Sequence, residues 1–144
     1  MLLELRPSGM EDLSGLHKGS LAEYAVCCFM LSNGVNAAVT PLEQSAFDII
    51  FDVGGKIKTL QVKSTTVVSR KDSENQSRYS FGLNTQKGAF SSSDACAFVA
   101  FPEDDILFLA SDDLEVKSGR KHFGINSYRD KAKGSFHSMM DKLS

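Results

Sequence analysis

The stretch AFDIIFDVGGKIKTLQVKST, residues 46–65, is rich in Ile, Phe, Leu and Val, yet it carries Asp48 in its first half and Gln61 and Lys63 in its second. Val53-Gly54-Gly55-Lys56 is a two-residue turn signal, because glycine adopts the positive φ that a tight hairpin needs. A turn centred there opposes Ile50 to Thr59 and Asp48 to Gln61. Opposed residues point to the same side of a sheet, and alternate residues share a face, so Lys63 joins the other two. Acid, amide and amine form one patch, while Phe47, Ile49, Phe51, Leu60 and Val62 form the opposite, core face. Carboxylate and amide oxygens suit a hard divalent cation. A neighbouring ammonium is a compact positive charge that stabilises an anion or orients a water.

A second acid belongs with this patch. Glu23 is the only charge between Leu21 and Leu31, and an acid in an apolar helix needs a partner or a task. A metal or the Lys63 amine supplies either. The plainer alternative is that Glu23 closes a capping box with Ser20 as the N-cap.

The elements that must position these groups follow from pattern. Leu21–Leu31 is apolar nearly all round, and Asn33-Gly34 is a helix stop, which together predict a buried helix. VNAAVT (35–40) reads as a short strand ended by Pro41, and the hairpin follows. VVSRKDSENQSR (67–78) is a polar loop or a long hairpin tip. YSFGL (79–83), ACAFVAF (95–101) and ILFLA (106–110) read as strands, with PEDD (102–105) as a turn. Residues 127–143 include a helix weakened in its middle by Gly134. Residues 1–17, with Pro7, Gly9 and Gly15, read as an irregular lead-in. The order predicts an α/β (α+β) layout, a mixed sheet with helices packed on it, in a single domain spanning residues 1–144.

Composition narrows the class. With 144 residues, 42% hydrophobic and 24% charged, the chain can bury a core without staples. No apolar run reaches membrane-spanning length, and the N-terminal sequence does not read as a signal peptide. Cys27, Cys28 and Cys96 have neither disulfide nor zinc spacing. Cys27 and Cys28 read as buried thiols in a reducing cytoplasm. The three histidines show no metal-ligand spacing. The net charge of −2 does not mark a nucleic-acid binder, but residues 115–133 hold six basic and two acidic residues, a local +4. That segment either faces phosphates or is an ordinary solvated surface.

The series Glu23, Asp48 and Gln61-Val62-Lys63 resembles the PD-(D/E)XK nucleases, the restriction-endonuclease-like superfamily. The resemblance covers roughly residues 18–110. It best fits small members with a QxK half-motif, such as cyanobacterial intron-encoded homing endonucleases, and is similar to archaeal Holliday-junction resolvases. Two residues depart from the pattern: Phe47 stands where Pro is usual, and Gln61 replaces an acid. The resemblance implies an αβββαβ core with a mixed sheet flanked by helices, in a prokaryotic or phage-encoded cytoplasmic protein. It implies a Mg²⁺-dependent endodeoxyribonuclease, with Mn²⁺ as a substitute ion. Asp48, the Gln61 oxygen and the Val62 carbonyl would hold the metal. Glu23 would join through water or a second ion, and Lys63 would position the nucleophile or stabilise developing charge. Because Gln61 is neutral, metal affinity rests more on Asp48 and Glu23.

Implied partners are double-stranded or branched DNA and a second copy of the chain, in a homodimer or larger symmetric assembly. Candidate DNA contacts are Ser64 and Thr65 beside the motif, Arg70, Lys71 and Arg78 in the polar stretch, Lys87, and the basic pair Arg120-Lys121. Asn84, Thr85, Gln86 and Lys87 are types that reach base edges or phosphate, but for any one of them an ordinary polar loop is the stronger reading. Tyr79, Phe81 and Phe90 read as core rather than as stacking platforms. The resemblance favours a site-directed, homing-type endonuclease. The alternatives are a Holliday-junction resolvase and an inactive DNA-binding module on the same scaffold.

Overall fold

The computed structural model describes residues 13–41, 47–71, 76–83, 93–115 and 119–144. Its first helix, α1 (Gly15–Ser32), begins earlier than the sequence pattern suggests. Ser14, not Ser20, is the N-cap, and its hydroxyl accepts the His17 N–H at 3.2 Å. Glu23 is therefore mid-helix, and the capping-box alternative falls away. Residues 15–17 are helical, which corrects the end of the expected irregular lead-in. The helix stops as expected: Asn33 is the C-cap and Gly34 takes a left-handed φ of 79°, open only to a residue without a Cβ penalty. Ala22, Ala25, Val26 and Met30 face inward and are buried. Cys27 is buried, but Cys28 lies on the outer face and is exposed, contrary to its reading as a buried thiol.

Strands β1 (Ala37–Val39), β2 (Ile49–Val53) and β3 (Lys56–Thr65) form an antiparallel run. The β2–β3 register is the one the Gly54-Gly55 turn dictates, with Ile50 opposite Thr59 and Val53 opposite Lys56. Both glycines have positive φ (58° and 88°), and Asp52 Oδ1 accepts the Gly55 N–H at 2.9 Å. β4 (Ser69–Lys71) and β5 (Gln76–Gly82) turn the polar stretch into a hairpin. β6 (Ala95–Ala100) pairs parallel to β3, and β7 (Ile106–Ala110) antiparallel to β6. The main sheet runs β1-β2-β3-β6-β7.

Strand β8 (Arg120–Gly124) was not legible in the sequence. It joins β5 and β4 in a second, three-stranded sheet. The C-terminal helical region is two helices, α2 (Ile125–Ala132) and α3 (Ser135–Leu143), divided at Gly134 with φ 68°. Gly134 does more than weaken one helix; it separates two.

The chain thus has two cores, one on each side of the main sheet. α1 and α3 cover one face, over Ile49, Phe51, Leu60, Val62, Ala95, Ala97 and Val99. The second sheet and α2 cover the other, where Tyr79, Phe81, Phe123 and Tyr128 meet Cys96, Phe98 and Ala100. This is why β6 is buried on both faces and reads as an unbroken apolar run. Tyr79 and Phe81 are core, as expected, and Phe90 lies outside the described residues. Among the described residues no helix is long and apolar enough to cross a membrane.

Candidate active site

Asp48 sits just before β2 and is held by the backbone on both sides. Its N–H donates to the Leu60 carbonyl at 2.9 Å, and its own carbonyl accepts the Thr40 N–H at 2.9 Å. Its side-chain Oδ2 accepts the Val62 N–H at 2.8 Å. The β2–β3 ladder ends at Ile49–Leu60, and the Asp48 carboxylate takes over the next β3 donor. Thr40, not singled out from the sequence, also donates its hydroxyl to the Phe47 and Asp48 carbonyls at 3.1 and 3.2 Å. Its only sequence signal is a polar residue at a strand end.

Gln61 and Lys63 are placed by the parallel pairing of β3 with β6. Gln61 lies beside Cys96 and Lys63 beside Phe98, on the face of the second core, while Leu60 and Val62 enter the first. Asp94 sets this register: its Oδ2 accepts the Thr59 N–H at 2.9 Å and the Thr59 hydroxyl at 3.1 Å. Gln61 is only 8% exposed. Its Oε1 is buried and has no hydrogen-bond partner among the described residues. A buried amide oxygen left unpaired costs about 1–3 kcal/mol, so the fold carries a penalty here.

Glu23 reaches Asp48 from α1. It and Asp48 line an open pocket of about 290 Å³ together with Ser20, Tyr24 and Thr40. Burial, and then the Asp48 carboxylate, push the Glu23 carboxyl up to about 7. Burial also raises Asp48, against the Val62 N–H and the Lys63 ammonium, which lower it. Asp48 is thus coupled to Glu23 on one side and Lys63 on the other. Lys63 and Asp48 also act in opposite senses on the buried Cys96 thiol, which burial holds well above its usual range.

Two half-buried carboxylates, an orphaned amide oxygen and an ammonium in electrostatic contact suit a hard divalent ion held by oxygens. Among the described residues no cluster of three or more His, Cys, Asp or Glu is present, so the donor set needs the Gln61 oxygen to reach three side chains.

The candidate DNA contacts are dispersed. Ser64 shares the first-core face of β3 with Val62, opposite Thr65. Thr65 donates its hydroxyl to the Val67 carbonyl at 3.2 Å. Arg70 and Lys71 are on β4; Arg78 is on β5, with a buried Nε that has no hydrogen-bond partner among the described residues. Arg120 and Lys121 are consecutive in β8 and part to opposite faces. Lys121 donates to the Glu115 carbonyl at 3.2 Å and sits 5.5 Å from the Phe123 ring centre, in a separate cleft of about 520 Å³ shared with Lys131 and Lys133. Arg129 is paired with Glu103 at 2.9 Å. The basic segment 115–133 is therefore several surfaces rather than one. Lys87, with Asn84, Thr85 and Gln86, lies outside the described residues.

The fold is restriction-endonuclease-like. The chain is similar to the structure of a bacterial homing endonuclease, I-Ssp6803I, with a TM-score of 0.68 over 90% of this chain and 93% of that one, at 20% identity. It is also similar to Hjc, a Holliday junction resolvase from the archaeal hyperthermophile Archaeoglobus fulgidus, with a TM-score of 0.50 over 78% of this chain and 88% of that one, at 16% identity. No family model and no curated protein matches the sequence.

Proposed function

We propose that the chain is a metal-dependent DNA endonuclease that hydrolyses phosphodiester bonds at a directed, homing-type site. The observation that carries this reading is the orphaned Gln61 Oε1 on the strand next to the Asp48 carboxylate. Asp48, Gln61 Oε1 and the Val62 carbonyl hold Mg²⁺, or Mn²⁺ in its place, and Glu23 completes the set through water or a second ion. The ion supplies polarisation of the scissile phosphate and a bound water of lowered pKa. The Val62 N–H fixes the Asp48 carboxylate in one orientation. Lys63 sets a positive charge beside it, for the nucleophilic water and the negative charge that develops on the phosphoryl oxygens. Burial of Gln61 and Asp48 lowers the local dielectric, which strengthens each of these interactions.

Cutting both strands requires two such sites, and a homodimer or larger symmetric assembly supplies them. The likeness to the Hjc fold supports a second reading, a junction resolvase.

One cleavage assay separates these readings. Wild type and Lys63→Ala are compared with Mg²⁺ or EDTA on a four-way junction, random linear duplex, and DNA from the gene's own genomic neighbourhood. Discrete, metal-dependent cuts in the neighbourhood DNA are expected from wild type alone. Symmetric nicks confined to the junction make the protein a resolvase. Binding without cutting on all three substrates, unchanged in Lys63→Ala, leaves an inactive DNA-binding module.

A further inference from the structure

The second sheet has a face the catalytic site does not use. Along β5 and β8, Tyr79, Phe81 and Phe123 turn inward and are buried. The alternate residues Arg78, Ser80, Arg120 and His122 must therefore lie on the opposite face. Pairing places Ser80 opposite His122, Arg78 opposite Gly124, and Arg120 opposite Gly82. Each arginine thus faces a glycine, and no side chain blocks it across the strand pair. Arg120 occupies the room this leaves: a Cβ on Gly82 would stand 3.8 Å from Arg120 Nη1.

Three of the four polar groups are wired together. Arg120 Nε donates to Ser80 Oγ at 3.0 Å, and Ser80 Oγ lies 2.9 Å from His122 Nδ1. With Ser80 accepting from Arg120, its hydroxyl proton is directed to Nδ1 of the neutral ring. The ring proton then sits on Nε2, as a further donor. Burial and the two guanidiniums, Arg78 and Arg120, hold His122 below its usual range, in keeping with the neutral ring. Arg78 Nε is buried and without a hydrogen-bond partner among the described residues. One planar cationic fork and an imidazole share a hydroxyl, and a second fork, Arg78, acts electrostatically on that imidazole; this is the chemistry of oxyanion recognition.

We propose that the quartet Arg78, Ser80, Arg120 and His122 is a phosphate clamp that grips one backbone phosphate of the nucleic-acid substrate, away from the cleavage centre. That the phosphate belongs to DNA rests on the nuclease reading; the clamp itself rests on the quartet. Its task is to set the register of the duplex on the protein, since phosphate contacts position rather than specify.

The test is fluorescence anisotropy of a labelled 30-base-pair duplex in EDTA across a salt series, where no cutting occurs. Arg78→Gln/Arg120→Gln is expected to weaken binding roughly tenfold at low salt, and to make the slope of log affinity against log salt shallower by about one, the release expected for one phosphate. Arg78→Lys/Arg120→Lys, which keeps both charges, restores the slope and guards against a fold defect in the Gln variant. Wild-type affinity and slope in a folded Gln variant overturn the clamp, as does a wild type that does not bind duplex at any salt. A wild type that binds through the quartet yet cuts nothing with Mg²⁺ upholds the clamp and sinks the nuclease reading.

Discussion

Asp48 Oδ2 accepts the backbone N–H of Val62 at 2.8 Å. The residue between the two motif side chains Gln61 and Lys63 thus orients the acid that the motif needs. A side-chain carboxylate stands where a strand neighbour would otherwise supply a carbonyl, so sheet and site are built from the same hydrogen bond.

Removing that acceptor separates structure from chemistry. Asp48→Asn keeps an oxygen for the Val62 N–H, whereas Asp48→Ala leaves that donor unpaired. Thermal unfolding should show Asp48→Ala less stable than Asp48→Asn by about 1–3 kcal/mol. On the proposed nuclease reading, both should cut DNA about 100-fold more slowly than wild type, since each removes the carboxylate charge that would hold the metal. Equal stability of the two variants would contradict the structural role of Oδ2.

Glu23 makes stability depend on pH in a definite sense. Its carboxyl titrates at about 7 when folded, against an ordinary 4.5. Between those values the native state holds a proton that the unfolded chain has released, so stability falls as pH rises through the window and the full penalty stands above it. Burial raises Asp48 in the same direction. Urea unfolding in EDTA at pH 5, 6, 7 and 8 should show Glu23→Gln gaining on wild type as pH rises, while its cleavage falls. A constant difference across the series would contradict the burial of this acid beside Asp48.

Gln61 sets apo stability against function. Gln61→Leu replaces the unpartnered buried oxygen with apolar volume and should stabilise the metal-free protein by about 1 kcal/mol. It should also shrink the rise in melting temperature that Mg²⁺ or Mn²⁺ gives wild type. Calorimetry with and without the ion checks both. A Gln61→Leu protein that is stabilised by the ion as much as wild type removes Gln61 from the metal site.

Tyr128 is a structural control in the second core. Its buried hydroxyl donates to the Phe98 carbonyl at 2.7 Å and accepts the Ala100 N–H at 3.2 Å. Tyr128→Phe should cost about 2 kcal/mol in denaturant unfolding and leave the cleavage rate per folded molecule intact.

Thiol titration reads the two cores directly. Cys28 is exposed, while Cys27 and Cys96 are buried and burial raises both thiols. One thiol should react promptly in the native protein, and all three in denaturant. Prompt reaction of Cys96 would mean that β6 is not packed on both faces.

Most of the first hundred residues could be read from local rules, and the misses have physical causes. β8 was invisible because RKHFG holds one phenylalanine after three polar residues, a pattern equally at home in a loop. It is a strand only because β5 offers a partner edge. The β4–β5 hairpin is one of the two readings that the polar stretch 67–78 allowed. The start of α1 was misplaced because Ser14 and Ser20 both suit an N-cap, and local sequence does not choose between them. The basic count over residues 115–133 suggested one surface. Strand alternation sends Arg120 and Lys121 apart, and Glu103 neutralises Arg129.

By itself the sequence determined the hairpin, its register and its two faces. A Gly-Gly turn and a two-residue period act between neighbours and need no help from the rest of the chain. It also determined that residues 21–31 are helical and where the helix ends, but not that Tyr24, Cys28 and Leu31 face outward, so α1 is buried on one face only. Only the tertiary structure decided that Glu23 meets Asp48, because that contact requires α1 to pack across the sheet from a distant part of the chain. The parallel pairing of β3 with β6 likewise decided that Gln61 is buried beside Cys96 with its oxygen unpaired, since parallel register is set by long-range contacts such as Asp94 to Thr59. Residue types announced a site; the long-range packing of α1 and β6 brought its parts together.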